Sequence, residues 1–196
     1  RVIGRAVIDL SGTDIAALVV HTEAYDVDGT KQKQIKQIHE FVTNEKLPWV
    51  LGGDFNELPP TATRKIGFND EREGAVCSED FVQPPYTPEV MQPFYDDFTA
   101  SITLARYGKT EAEQKPYFTH TVLGENEKNE QGEAGFWNRT LDYLFVRGTD
   151  KWTPGSTDVV QTAGQEVGGT GGHKMKANAM ELSDHAPVVG TWEVGQ

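Results

Sequence analysis

The chain has 196 residues, 30 acidic against 18 basic for a formal net charge of −12, 37% hydrophobic residues, 20 glycines and one cysteine. That length supports one large domain with its own core, spanning 1–196, while the acidic balance without a Lys/Arg cluster lowers the standing of nonspecific nucleic-acid binding. Cys77 alone excludes an intramolecular disulfide and a thiolate zinc cluster, and no apolar run reaches the roughly 20 residues of a membrane span.

The opening Arg1-Val2-Ile3-Gly4 is neither a signal peptide nor an initiator methionine, so the expectation is a chain that begins part-way through something. Val2 to Asp9 and Ile15 to Val20 read as two strands joined by a turn-rich link, Leu10 to Asp14. The second is apolar on both faces and is expected to be central and buried between layers; it ends at His21, a residue that is either structural or an active-site acid or base. The loop Tyr25-Asp26-Val27-Asp28-Gly29 has its glycine at the wrong offset for an EF-hand. From Thr30 to Asn44 the spacing of Ile35, Ile38, Phe41 and Val42 predicts an amphipathic helix capped by Asp28 or Thr30, with Lys, Gln, His39 and Glu40 on the solvated face.

A strand-length apolar run, Trp49-Val50-Leu51, then meets Gly52-Gly53 and delivers Asp54 and Asn56 to its end, two residues apart and so on one face of an extended backbone. A carboxylate and a carboxamide aimed together suit a hard metal ion or an attacking water; an Asx-rich turn that merely ends a strand is the plainer alternative. Beyond it, Thr61 to Ile66 reads as a short helix, Asn69 to Pro93 as surface loop, Phe94 to Leu104 as helix, Pro116 to Val122 as extended and Gly124 to Gly135 as solvated loop. Asn138 to Val146 reads as a strand apolar on both faces except for Asp142 near its start, a carboxylate that an imidazole would suit as partner; the sequon at Asn138 is taken as chance. Gly168 to Lys174 lacks the spacing of a phosphate loop. The last strand opens on an adjacent Asp184-His185 pair, which can serve one cleft only if the backbone twists there.

Taken in order, His21, Gly53-Asp54-Phe55-Asn56, Leu141-Asp142-Tyr143 and Ser183-Asp184-His185-Ala186-Pro187-Val188 resemble the endonuclease/exonuclease/phosphatase superfamily, from about Ile15 to Val194. The resemblance implies a four-layer α/β/β/α sandwich of the deoxyribonuclease-like type and magnesium-dependent hydrolysis of phosphate esters, with substrates ranging over nucleic acids, inositol phospholipids and sphingomyelin. It implies that Asp54 orients or deprotonates the attacking water with Asn56 beside it, that Asp184, Asp54 and Asn56 serve the metal (Mg²⁺, with Mn²⁺ possible), that His185 is the catalytic imidazole oriented by Asp142, and that His21 acts on the leaving-group or phosphate side. Thr22 stands where many members have leucine. Full members carry a further N-terminal half with an asparagine and a metal-binding glutamate, which nothing before His21 supplies; either the chain is the C-terminal part of a longer or cleaved protein completed by another polypeptide, which is the expectation kept, or the metal site has been dismantled, and half a sandwich would leave a large apolar face exposed.

The chemistry of carboxylates, a carboxamide and a carboxylate-held imidazole is consistent with direct attack of water on a phosphodiester and with a hard divalent ion. Three readings stay open: a nuclease acting on DNA or RNA, a lipid or small-molecule phosphodiesterase, and a non-catalytic binding module on the same fold. Specificity is expected from the loops Gly67 to Pro116 and Gly124 to Asn138. Of the aromatics Tyr86, Phe94, Tyr95, Tyr117, Phe136 and Trp137, most are expected to pack or to anchor loops. The composition is compatible with the cytosol and with export, and a secreted or periplasmic location is the expectation kept.

Overall fold

A computed structural model describes residues 3–24, 28–63, 86–121, 137–167 and 173–194. The expectations for Tyr25 to Val27, 64–85, 122–136 and the glycine loop 168–172 lie outside the described residues, as do Cys77 and Phe136.

The fold is mixed α/β around a five-stranded sheet. Strands β1 (Gly4–Leu10) and β2 (Thr13–His21) form an antiparallel hairpin whose turn places Ser11 and Gly12 at positive φ. Helix α1 (Thr30–Thr43) crosses over to β3 (Trp49–Asp54), which lies parallel to β2 with His21 opposite Asp54. The antiparallel neighbour of β3 is β5 (Asp142–Arg147), and its register sets Asp54 opposite Asp142. β4 (Phe98–Ala100) closes the far edge after the short helix α2 (Gln92–Asp97). Helices α3 (Leu104–Tyr107) and α4 (Glu111–Gln114) follow, and two small ribbons pair β6 (Lys151–Trp152) with β9 (Trp192–Glu193) and β7 (Asp158–Val159) with β8 (Val188–Val189).

The α1 stripe buries Ile35, Ile38 and Val42 against Ala16, Leu18 and Val20 of β2 and Trp49 and Leu51 of β3, and Phe55, Phe94 and Phe145 complete this core. A second cluster gathers Leu58, Phe118, Leu141, Val159 and Ala186 beneath the far loops. Four local expectations are corrected. Phe41, placed in the stripe by spacing, is exposed, because the core-facing arc is already filled by its neighbours. Lys31, assigned to the solvated face, is fully buried, because an acid inside the fold receives it. His39 is drawn onto Phe94 and Phe98 and bonds Asp97 at 2.9 Å instead of facing solvent. The helix expected over Phe94 to Leu104 stops at Asp97, where Phe98–Ala100 gains sheet hydrogen bonds from β5 that a longer helix would forfeit. The cap of α1 is Gly29, with Asp28 accepting the Thr30 N–H at 3.0 Å. Likewise β2 is central in order, yet Val19 is 60% exposed, so one of its faces lies uncovered among the described residues.

The two glycines before Asp54 differ in purpose. A Cβ on Gly53, which sits at φ +141°, would fall 2.0 Å from the Val20 carbonyl oxygen, whereas one on Gly52 would overlap the movable end of Leu144 and touch the Tyr143 carbonyl at an ordinary 3.5 Å. Gly53→Ala should therefore cost about 3 kcal/mol or more, from combined strain and overlap, and Gly52→Ala clearly less. Urea unfolding of both variants measures the difference, and equal losses would refute the assignment.

Candidate active site

The site is built where the sheet ends. Because β2 and β3 run parallel and β5 antiparallel, the last residues of the first two and the first residue of the third meet in one row: His21, Asp54, Asp142. His21 Nε2 lies 3.5 Å from Asp54 Oδ2. His185 comes to the same row from the C-terminal segment; its Nδ1–H donates to Asp142 Oδ2 at 2.8 Å, and its Nε2 stands 4.0 Å from Asp54 Oδ2. That second gap is too long for a hydrogen bond and short enough for one bridging water or substrate oxygen.

Each side chain is held from behind. The Asn56 N–H donates to Asp54 Oδ1 at 2.7 Å, an Asx turn made possible by the left-handed φ of +47° that asparagine tolerates. The Asn56 amide donates from Nδ2 to the Thr22 carbonyl at 3.2 Å, and the Thr22 N–H in turn donates to the Asp54 carbonyl at 3.0 Å. The Thr119 hydroxyl accepts the N–H groups of Leu141 and Asp142 at 2.9 and 3.0 Å, fixing the start of β5. The His185 N–H donates to Ser183 Oγ at 3.0 Å, and the Ala186 N–H to the Thr119 carbonyl at 2.7 Å, so the backbone turns at the pair: His185 reaches inward while Asp184 stays exposed.

Electrostatics follow from this packing. Burial, then the Asp142 charge across the ladder, holds the Asp54 carboxyl above the ordinary carboxylate range. The bond to Asp142 raises the imidazole of His185 above its ordinary 6.5. Two acids side by side in a partly buried row are a donor set that a hard divalent cation relieves, while the exposed Asp184 lies with His120 and His185.

Two residues at the site carried no sequence signal of their own. His120 stacks edge-on against His185 with ring centroids 4.7 Å apart, and one ligand-type atom each of His120, Asp184 and His185 lies within 4.8 Å of the others. Arg139, buried and dismissed in the sequence as part of a chance sequon, donates from Nε to His120 Nδ1 at 3.2 Å. In place of an alternating strand that would have marked it, His120 makes two isolated bridges, one to Arg139 and one to His185. Asn138 is 2% exposed, so the folded chain does not present the sequon.

This geometry defines the class of protein: an α/β sheet protein with an acid and imidazole cluster at aligned strand ends. Its fold is similar to that of solved structures of the endonuclease/exonuclease/phosphatase superfamily. No protein-family model and no curated protein matches the sequence. Among solved structures, D. rerio TDP2 complexed with a single-strand DNA product is similar at 15% identity over 98% of this chain and 61% of that one, with a TM-score of 0.52. An endonuclease/exonuclease/phosphatase from Beutenbergia cavernae DSM 12333 shares 16% identity over 98% of this chain and 39% of its own, with a TM-score of 0.48. A Bacteroides thetaiotaomicron protein of the endonuclease/exonuclease/phosphatase family shares 14% over 95% and 52%, with a TM-score of 0.48. The chain thus spans about three fifths of the D. rerio structure and less of the others.

Proposed function

We propose that this chain carries the histidine side of a divalent-metal-dependent phosphoesterase that cleaves a phosphate ester, most simply a phosphodiester, by attack of an activated water. The observation that supports it is the convergence of Asp54, Asp142 and His185 at paired strand ends, with Asp142 holding His185 so that Nε2 is left as an acceptor beside Asp54. Asp54 orients the water, His185 exchanges its proton near neutral pH, and His21 stands on the other side of Asp54 for the leaving group or a phosphate oxygen. Magnesium or manganese held by Asp184, Asp54 and Asn56 would neutralise charge on the phosphoryl oxygens.

In this reading residues 1–196 belong to one domain of a four-layer sandwich whose other half supplies the remaining metal ligands. The exposed apolar residues Val7, Ile8, Leu10 and Val19 on the β1–β2 hairpin are consistent with a covering segment. No described helix is long and apolar enough to cross a membrane. A secreted or periplasmic location belongs to the same proposal and rests on composition.

The test is hydrolysis of bis(4-nitrophenyl) phosphate with magnesium, after intact masses have been recorded for every species in the preparation. Expected are turnover abolished by EDTA and restored by Mg²⁺ or Mn²⁺, and a loss of at least about 10²-fold in Asp184→Ala. No turnover even with the N-terminal half supplied would overturn the enzyme reading in favour of a binding module. Nucleic acid is the second substrate reading, because the D. rerio structure holds a single-strand DNA product. A steep fall of cleavage with salt would support it, and a flat salt response would favour a lipid or small phosphodiester, in keeping with the net charge of −12.

A further inference from the structure

The two histidines that touch at this site are wired with opposite polarity. His185 Nδ1 faces the Asp142 carboxylate, which only accepts, so this nitrogen carries the proton and Nε2 is left with a lone pair. His120 Nδ1 faces Arg139 Nε, 3.2 Å away, and a guanidinium only donates. Here Nδ1 must be the bare nitrogen, and the proton sits on Nε2.

Arg139 cannot turn away easily. It is 3% exposed, its other arm donates from Nη1 to the Tyr86 hydroxyl at 3.0 Å, and its backbone carbonyl accepts the N–H groups of Thr119 and His120 at 2.8 and 2.9 Å. His120 is therefore clamped by both backbone and side chain between the Arg139 segment and His185. Its ring is half-buried, and that burial, with the charges of Arg139 and His185, lowers its titration from the ordinary 6.5, in keeping with the bare Nδ1 that faces Arg139.

We propose that His120 is a further catalytic residue of the site, a fixed Nε2–H donor to a non-bridging oxygen of the phosphate that His185 serves as base. This deepens the phosphoesterase reading and rests on it. The gathering of His120, Asp184 and His185 atoms within 4.8 Å supplies the shared locus. A transition-metal ion held at the same cluster is the competing use of these atoms. Metal-bound imidazoles donate their second N–H to an acceptor, whereas the second nitrogen of His120 meets a donor, so the wiring favours hydrogen-bond donation. A donor that carries no charge of its own and is set in place before the substrate arrives stabilises charge as it develops, without protonating the base beside it.

Long-range proton–nitrogen spectra of the imidazole rings in the full chain read the wiring directly. The expected result is a proton on Nε2 of His120 and on Nδ1 of His185, with the His120 Nε2–H resonance moving as inorganic phosphate is titrated. A proton on His120 Nδ1, or a His120 resonance indifferent to phosphate, would overturn the assignment whether or not the chain turns anything over. In the turnover assay, His120→Phe, which keeps bulk and loses the donor, should lower kcat by about 10²-fold, and His120→Gln, whose amide reaches the same place, should keep at least tenfold more activity than Phe. Equal activity in the two variants would refute donation. Loss of all turnover in the unsubstituted protein would instead count against the phosphoesterase reading, leaving the spectra to decide the role of His120.

Discussion

His185→Ala should lower kcat by about 10²–10⁴-fold, the range expected for removal of a general base, and Asp142→Asn should move the acid side of the pH profile. The sign follows from the pair. His185 works as a base only when neutral, and its hydrogen bond to Asp142 raises its titration above the ordinary 6.5, so activity should climb with pH through that raised value. An amide in place of the Asp142 carboxylate removes both the hydrogen-bond acceptor of fixed sense and the charge. The imidazole then loses its proton at lower pH, and the acid limb shifts down while the plateau falls, because the ring is no longer oriented and its protonated form no longer stabilised. A profile of kcat against pH for the two proteins decides it. An unshifted limb in Asp142→Asn would mean that some other group than His185 governs the rate.

How much of this was legible beforehand depends on whether a residue's task is written in its immediate neighbours. Asp54 and Asp142 could be placed because each interrupts a run of apolar strand residues, and a charge at a buried strand end demands a reason. Their pairing across the ladder followed once β3 and β5 became neighbours. The same logic located His185 after Asp184, although only the structure shows the backbone turn at the pair and the approach of both side chains to His120. His120 and Arg139 were missed because their meaning lies in a contact between segments 19 residues apart that form no regular strand where they touch. Period-two patterning has nothing to register on isolated bridges. Lys31 was misread for a related reason: a lysine on a helix is ordinarily a solvated charge, and helical spacing alone cannot announce that an acid 26 positions further on is waiting inside.

That buried lysine should make Lys31→Met one of the most damaging substitutions in the chain. Both side chains of the Lys31–Glu57 pair are 0% exposed, with Nζ 3.2 Å from Glu57 Oε2 and donating at 2.8 Å to the Asn56 carbonyl. The ammonium also lies 4.9 Å from the centre of the Tyr86 ring. Glu57 spends its other oxygen on the N–H groups of Leu58 and Thr87, both at 3.0 Å. Burial holds its carboxyl above the ordinary range despite the lysine, so the acid sits at this depth under strain from desolvation. Removing the cation alone leaves a buried carboxylate with no countercharge and an Asn56 carbonyl with one donor fewer. A loss of about 3–5 kcal/mol is expected, the usual cost of breaking a buried pair from one side. Lys31→Met with Glu57→Gln removes both charges and keeps an oxygen for Leu58 and Thr87, and it should recover at least about half of that loss, because replacing a whole buried pair is far cheaper than orphaning one member. Urea unfolding of the two single variants and the double closes the cycle. Strictly additive losses would show that the two charges do not depend on one another. A positive coupling would mean that the turn carrying Asp54 and Asn56 is anchored to α1 through a charge pair in the interior, so that the geometry of the candidate site and the stability of the first helix rise and fall together.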